Sequence, residues 1–326
     1  MADPLVTVVM PCLNEEDNIA RAVESLADDY VLRNGEILIV DGGSTDRTRE
    51  IVTELAAKYP LRLLANPGRL QAHGMNIGIR EARGRIIIRA DAHCLYPPDY
   101  VRRCIQMLEK EGVFNAGGVM VPVGETPIQK AIARAMRHPV GVGDAKYHLG
   151  DYRGYYDGVY LGAFKKSVFE DVGSFDPRAH PNEDAELNLR IVKSGRKIFL
   201  DGSLEVLYRP RKTFSKLFRQ YFHYGRGRGY TTLKHRRFTS WRQVLPPVLI
   251  LGLLGSIVLS FLVHPLFIVV PGLYGASVFL VAQLGKFNPP ASPRERFLIF
   301  AAFVTMHVAW GSGFLSKLLT FSRSDG

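Results

Sequence analysis

Four short stretches of this 326-residue chain place carboxylates, and one imidazole, where they could act together. They are Pro11-Cys12-Leu13-Asn14-Glu15-Glu16, Asp41-Gly42-Gly43-Ser44-Thr45-Asp46, Asp91-Ala92-His93 and Asn182-Glu183-Asp184. A carboxylate in reach of a hydroxyl can take its proton, and carboxylate or imidazole can ligate a divalent cation. Taken singly, each stretch also has an ordinary reading. Asp-Gly-Gly-Ser-Thr-Asp reads as a turn with Ser44 or Thr45 capping a helix and Asp46 favoured by its dipole. Asn-Glu-Asp reads as a helix start, and Asp-x-His as a loop. The coincidence of the stretches carries the signal.

The elements that must position them are visible in the first 120 residues. Val6–Met10, Glu36–Val40, Leu61–Asn66 and Ile86–Ala90 are short runs rich in Val, Ile and Leu. Helix-like segments, Asn18–Ala27, Thr45–Lys58 and Gln71–Ala82, lie between them. Strands alternating with helices imply parallel βαβ units in an open α/β sheet. Ligands of such sheets bind beyond the carboxyl ends of the strands, so the loops opening at Pro11, Asp41, Asn66 and Asp91 are expected around one site. Further on, a helix over Thr126–Met136, a strand over Val159–Phe164, and helices over Lys165–Val172 and Glu183–Ser194 are expected.

Beyond Tyr208 the character changes. Arg209 to Arg242 holds eleven Lys or Arg and no Asp or Glu. Such a block suits nucleic acid or an anionic membrane surface. Its place beside long apolar runs favours membrane lipid and no nucleic acid, at about 1 kcal/mol per charge. Phe214, Leu217, Phe218, Tyr221 and Phe222 fall on one helical face opposite basic residues, the pattern of a helix lying in the headgroup layer; packing on the catalytic domain is the alternative. Leu245–Val263, Leu266–Leu284 and Phe297–Leu315 are each about 19 residues long and nearly uncharged, close to the roughly 20 a membrane span needs. Trp241 and Trp310 are candidates for membrane interfaces. The flanking Lys and Arg predict a cytosolic basic block, while Lys317 and Arg323 weigh against an external C-terminus. Cys12, Cys94 and Cys104 have no zinc spacing and leave an odd thiol, as expected in a reducing compartment. The first residues show no signal-peptide pattern.

The runs VTVVMPCLNEEDNI, EILIVDGGSTDRT, RADAHC and NEDAELNLRI together resemble glycosyltransferase family 2, inverting enzymes of GT-A fold, over Leu5 to Tyr208. Within that family the chain is most similar to membrane-anchored glucosyltransferases of the succinoglycan type. The resemblance implies an α/β, Rossmann-like, mostly parallel sheet over residues 1–208. A basic amphipathic interfacial region over 209–244 and a three-span α-helical anchor over 245–326 then follow. It further implies that Pro11, Asn14, Glu15 and Asp41 line a nucleotide-sugar pocket, with Arg69 and Gln71 approaching the nucleotide; Asn76 is alternatively a core cap. The family's Asp-x-Asp reads Asp91-Ala92-His93 here, so Asp91 would serve the ribose or the metal and His93 the metal. Imidazole in that place suits Mn²⁺ better than Mg²⁺. Asp184 matches the catalytic base, and Glu183 orients the acceptor or caps the helix. The Gln-x-x-Arg-Trp of processive members reads Gln220-Tyr221-Phe222-His223-Tyr224 here, which points away from a processive enzyme. Gln220, Arg226 and Arg228 are candidates for holding the phosphates of donor or lipid acceptor, with simple headgroup attraction as the competing role.

The activity so implied is transfer of a hexose, glucose from UDP-glucose, to a polyprenyl-diphosphate-linked saccharide. The place is the inner face of the plasma membrane, with a multi-pass anchor and a cytosolic catalytic domain. Direct loading of polyprenyl phosphate, nucleotidyl transfer and a non-catalytic membrane scaffold are the rival expectations.

Overall fold

The computed structural model describes residues 5–110, 112–150, 152–238 and 243–321. Trp241, Arg242 and Arg323 lie outside the described residues. The chain divides into two compact units, one of Met1–Val121 with Lys146–Tyr208, the other of Pro122–Ala145 with Arg209–Gly326.

The first unit is built on a sheet. Its strands are β1 (Val6–Cys12), β2 (Gly35–Asp41), β3 (Leu61–Ala65), β4 (Ile86–Arg89), β5 (Cys94–Leu95), β6 (Val113–Pro122), β7 (Arg153–Tyr155), β8 (Tyr160–Lys165) and β9 (Lys197–Tyr208). Among the described residues they form one sheet in the order β3-β2-β1-β4-β8-β6-β9-β5, with β7 joined to β9. The expected βαβ half is parallel: β1 pairs with β2 and β4, and β2 with β3. From β8 onward the pairings to β4 and β6 are antiparallel, as are β5 and β7 on β9. The sheet is therefore mixed, and the expectation of mostly parallel strands holds for its first half.

The two halves bury their residues differently. Val6, Val8, Val9 and Met10 of β1 and Ile37 to Val40 of β2 are fully buried, as strands covered on both faces must be. Strand β9 instead alternates buried Leu204, Val206 and Tyr208 with exposed Ser203, Glu205 and Leu207, the period of a strand with one open face. Gly74 brings the helix Gln71–Glu81 onto β1, since a Cβ there would stand 3.0 Å from the Pro11 ring.

The second unit is helical. Pro127–Met136 opens with a capping box, Thr126 with Gln129, and a proline in the first turn. From sequence this segment belonged with the catalytic domain. In the structure it packs with the C-terminal helices, tied to Pro293–Thr320 by the Arg134–Glu295 ion pair at 2.7 Å. The helix Phe214–His235 packs on Pro293–Thr320, with Leu217 and Tyr221 buried and Phe218 exposed. Part of its expected lipid-facing stripe is therefore spent on a neighbouring helix. The Gly225-Arg226-Gly227-Arg228-Gly229 run is the seam of that packing. A Cβ added at Gly225 would run into the Trp310 carbonyl, and one at Gly313 into that of Phe222. Small residues four apart let two helix backbones approach in this way.

Leu245–Leu262, Pro265–Leu284 and Pro293–Thr320 are long and apolar enough to cross a membrane. The first two leave their apolar side chains uncovered, Phe261 at 83% and Leu262 at 77% exposure. A continuous apolar surface of that kind calls for an apolar solvent. The third helix starts before the apolar run, at Pro293, because Ser292 accepts the Glu295 N–H.

Candidate active site

The register of the parallel strands brings the acidic loops to one edge. Cys12 lies beside Asp41, Asp41 beside Ala65, and Val9 beside Arg89. The chain leaves β1, β2, β3 and β4 on the same side of the sheet, as Asp91 and its predicted companions require.

The first two loops are laced together. Asn14, held at φ 54, donates its N–H to Ser44 Oγ at 2.9 Å, and its side-chain oxygen accepts the Thr45 N–H at 2.8 Å. The Glu15 N–H donates to Thr48 Oγ1 at 2.7 Å. The Asp41 carboxylate accepts from Ser44 Oγ at 2.5 Å and from the N–H groups of Gly43 and Ser44. Asp41 is thus the keystone of its turn as well as a buried carboxylate at the site edge. The following helix begins at Thr48, where Asp46, rather than Ser44 or Thr45, takes the first N–H at 3.0 Å. Arg69, at φ 60, donates from Nε to the Gly42 carbonyl at 3.2 Å and closes the third loop on the second. Asn76 clasps the backbone of Phe175 in both directions, so its role is in the core.

Around Asp91 the polar groups converge. Gln71 Nε2 donates to Asp91 Oδ1 at 2.6 Å. The Tyr96 hydroxyl accepts the Asp91 N–H at 2.7 Å and fixes the loop from below. His93 turns Nδ1 to Glu15 Oε1 at 3.1 Å and sets its ring edge-on to Tyr208, 5.8 Å between centroids. Tyr208 is there because β5 pairs with the end of β9, Cys94 beside Tyr208.

Arg89 joins this donor side to the helix Glu183–Lys193. Its guanidinium is buried, 3.7 Å from Asp91, 3.9 Å from Glu183 and 3.9 Å from Asp184. Burial opposes its charge, and Asp91, Asp184 and Glu183 overcome that and keep it protonated. Glu183 is buried with His180 Nδ1 3.7 Å away. Burial alone would raise its carboxyl, and His180 and Arg89 more than offset this and hold it below the ordinary value. Asn182 makes no side-chain cap on this helix. Asp184 is half-exposed, and its Oδ1 accepts the Ala185 N–H at 2.7 Å.

The structure therefore assembles Glu15, Asp41, Arg69, Gln71, Asp91, His93, Glu183 and Asp184 in one unit, with Pro11 and Asn14 shaping the loops. Gln220, Arg226 and Arg228 belong to the helical unit. There Gln220 donates to Tyr224 at 2.9 Å and Arg226 to Ser316 at 2.9 Å. Arg89, Tyr96, His180 and Tyr208 were missed in the sequence. Arg89 had a signal: a cation ends an apolar strand two residues before Asp91, on the same face by strand alternation, and a buried charge needs partners.

Oxygen and nitrogen donors of Asp91 and His93, with the Cys94 sulfur, lie within 4.8 Å of one another. Burial and Asp91 push the Cys94 thiol up, and it pairs with the Tyr160 hydroxyl at 3.2 Å. That favours the protonated form, leaving a carboxylate and an imidazole as the donor pair. A histidine ligand typically gives its other ring nitrogen to a carboxylate, and Glu15 occupies that position on His93. The donor set fits a divalent cation, which Asp91 and His93 would hold.

Residues 7–173 match the profile of Glycosyl transferase family 2. The chain is 36% identical, over 97% of its length and 96% of the relative's, to succinoglycan biosynthesis protein ExoA of Rhizobium meliloti (strain 1021). It is 27% identical, over 69% of its length and 73% of the relative's, to a dolichyl N-acetyl-alpha-D-glucosaminyl phosphate 3-beta-D-2,3-diacetamido-2,3-dideoxy-beta-D-glucuronosyltransferase of Methanococcus voltae. Its fold is shared with a mannosyltransferase of Pyrobaculum calidifontis solved with GDP-Man and Mn²⁺. The TM-score is 0.62 at 19% identity, covering 99% of this chain and 89% of that one. The chain belongs to glycosyltransferase family 2, with a GT-A-like catalytic unit and a helical unit containing three apolar helices. It is a glycosyltransferase.

Proposed function

We propose that the enzyme transfers one hexose, glucose from UDP-glucose, with inversion, onto a polyprenyl-diphosphate-linked saccharide in polysaccharide synthesis at the inner plasma membrane. The observation that supports this most is the bridge from Asp91 through Arg89 to Asp184, which sets a donor-side carboxylate against a half-exposed base. Three apolar helices on the same chain suit an acceptor carried by lipid. The names of the two relatives, one from succinoglycan biosynthesis and one acting on a dolichyl sugar phosphate, point the same way.

In this reading Glu15 and Asp41 receive the hydrogen-bond donors of the nucleoside, and Arg69 and Gln71 close over it. Asp91 and His93 would hold Mn²⁺ or Mg²⁺, and the ion when bound would supply positive charge against the leaving diphosphate. Asp184 takes the proton of the acceptor hydroxyl as its oxygen attacks the anomeric carbon opposite the diphosphate, so the configuration inverts. Glu183, ionised and buried, keeps Arg89 in place beneath the base. Arg226 and Arg228 meet lipid phosphates at the helical unit, and the basic block keeps that side cytosolic. The test is UDP release by the detergent-purified enzyme with UDP-glucose, UDP-galactose and GDP-mannose and extracted lipid-linked acceptors. Release from UDP-glucose alone supports the reading; equal release from all three donors removes the assignment of glucose. Rapid transfer to bare polyprenyl phosphate, surviving in Asp184→Asn, replaces it with direct loading of the lipid.

A further inference from the structure

Arg89 is the one guanidinium among the described residues that stands within 4 Å of three carboxylates of the site. It is 7% exposed, yet its Nε and Nη1 have no hydrogen-bond partner. A buried cation left short of hydrogen bonds is costly. The compensation comes from charge, with the three carboxylates at 3.7 to 3.9 Å. The three carboxylates come from two places in the chain, the loop just after β4 and the first turn of Glu183–Lys193, and Arg89 stands within 4 Å of all three.

We propose that Arg89 is a positioning residue that sets the distance between the donor side and the base. Its Nε holds Asp91, Nη2 holds Glu183, and Nη1 holds Asp184 where the acceptor hydroxyl must meet the anomeric carbon. A planar fork with fixed donor directions can do this, and a lysine ammonium cannot. The proposal rests on Asp184 being the base. It adds that losing Arg89 damages transfer without removing the nucleotide.

Three variants of the full-length enzyme in detergent test it, each with UDP affinity measured by calorimetry in Mn²⁺ and transfer measured separately. Arg89→Lys should bind UDP within about threefold of wild type and lose about 100-fold in kcat, the usual cost of misplacing a reacting group by an ångström. Arg89→Gln with Glu183→Gln removes one charge of each sign from the buried site and guards against a variant that fails to fold. It should bind UDP and still lose about 100-fold. Recovery to within about tenfold of wild type would instead mean that Arg89 only balances the charge of Glu183, overturning the proposal. Adding Arg89→Lys to Asp184→Asn should change transfer little beyond Asp184→Asn alone, because both act through one group; multiplying losses contradict it. An Asp184→Asn enzyme of normal activity would defeat the base assignment itself. Loss of UDP binding in step with kcat in Arg89→Lys would defeat only the role of Arg89.

Discussion

The edge of the sheet and the helical unit differ in how they obtain their polar contacts. At the sheet edge, short loops leave adjacent parallel strands, and each acidic residue finds its partner because strand register has already placed it. Glu15 meets His93, and Gln71 meets Asp91, across loops that all start at one level. In the helical unit the contacts run between helices, with no strand register to set them. Arg134 pairs with Glu295, and the glycines of Gly225 to Gly229 nest on Trp310 and Phe314. The first arrangement fixes a few atoms for chemistry; the second makes two backbones approach closely, which small residues permit. Substitutions should therefore separate the regions, with sheet-edge changes altering rate or metal affinity and seam changes altering stability.

The largest effect is expected at Asp184. Asp184→Asn should reduce transfer by about 1,000-fold, within the range for losing a general base, with UDP affinity retained in calorimetry. Next comes the donor pair. His93→Ala should weaken Mn²⁺ binding, and Glu15→Gln should weaken it by about 10-fold, the usual cost of losing a group that orients a ligand. Direct titration of Mn²⁺ in the presence of UDP reads both. Equal affinity in His93→Ala would leave Asp91 as the only protein ligand and would fit a histidine that merely packs against Tyr208.

Smaller effects are expected at the seam. Gly225→Ala and Gly313→Ala should each cost about 1–3 kcal/mol, the range for overpacking, seen as a lower unfolding temperature in detergent. UDP affinity should not change, and a parallel loss of it would end the separation of the two regions. The smallest effect concerns pH. The carboxyl of Glu183 is held below its ordinary value near 4.5, chiefly against burial by His180 and Arg89. A lowered folded value means the stabilisation is complete above the unfolded value and is lost as pH falls through the folded one. Unfolding temperature measured from pH 7 to 3 should therefore drop less steeply at the acid end in Glu183→Gln than in wild type. Parallel curves would assign the acid sensitivity to other groups, such as Asp201.

Much of the first half of the fold was legible because its signals are local. Buried parallel strands show as unbroken apolar runs, and β1, β2, β3 and β4 fall within two residues of their expected ends. The acidic loops were legible because a strand end can be read from where its apolar run stops. Strands β6 and β9 were not, since Gly117 and Gly118 interrupt one and the other alternates with exposed residues. The helix expected over Thr126–Met136 reads as an ordinary amphipathic helix, and nothing in its period names the helix it packs on. Arg226 shows the same limit: its hydrogen bond to Ser316 depends on a helix 90 residues away in sequence, which no local pattern announces. His93 was placed by resemblance to a metal motif, and its link to Glu15 emerged only once two loops stood side by side.

In the proposed reaction a donor-side metal site and the base Asp184 act together in transferring sugar to a lipid-linked acceptor. The most direct measurement is UDP release from UDP-glucose by detergent-purified enzyme supplied with extracted acceptor lipids, with and without EDTA. Release should need Mn²⁺ or Mg²⁺, need the acceptor, and fall about 1,000-fold in Asp184→Asn while UDP still binds. Release that continues undiminished in EDTA or in Asp184→Asn would contradict it.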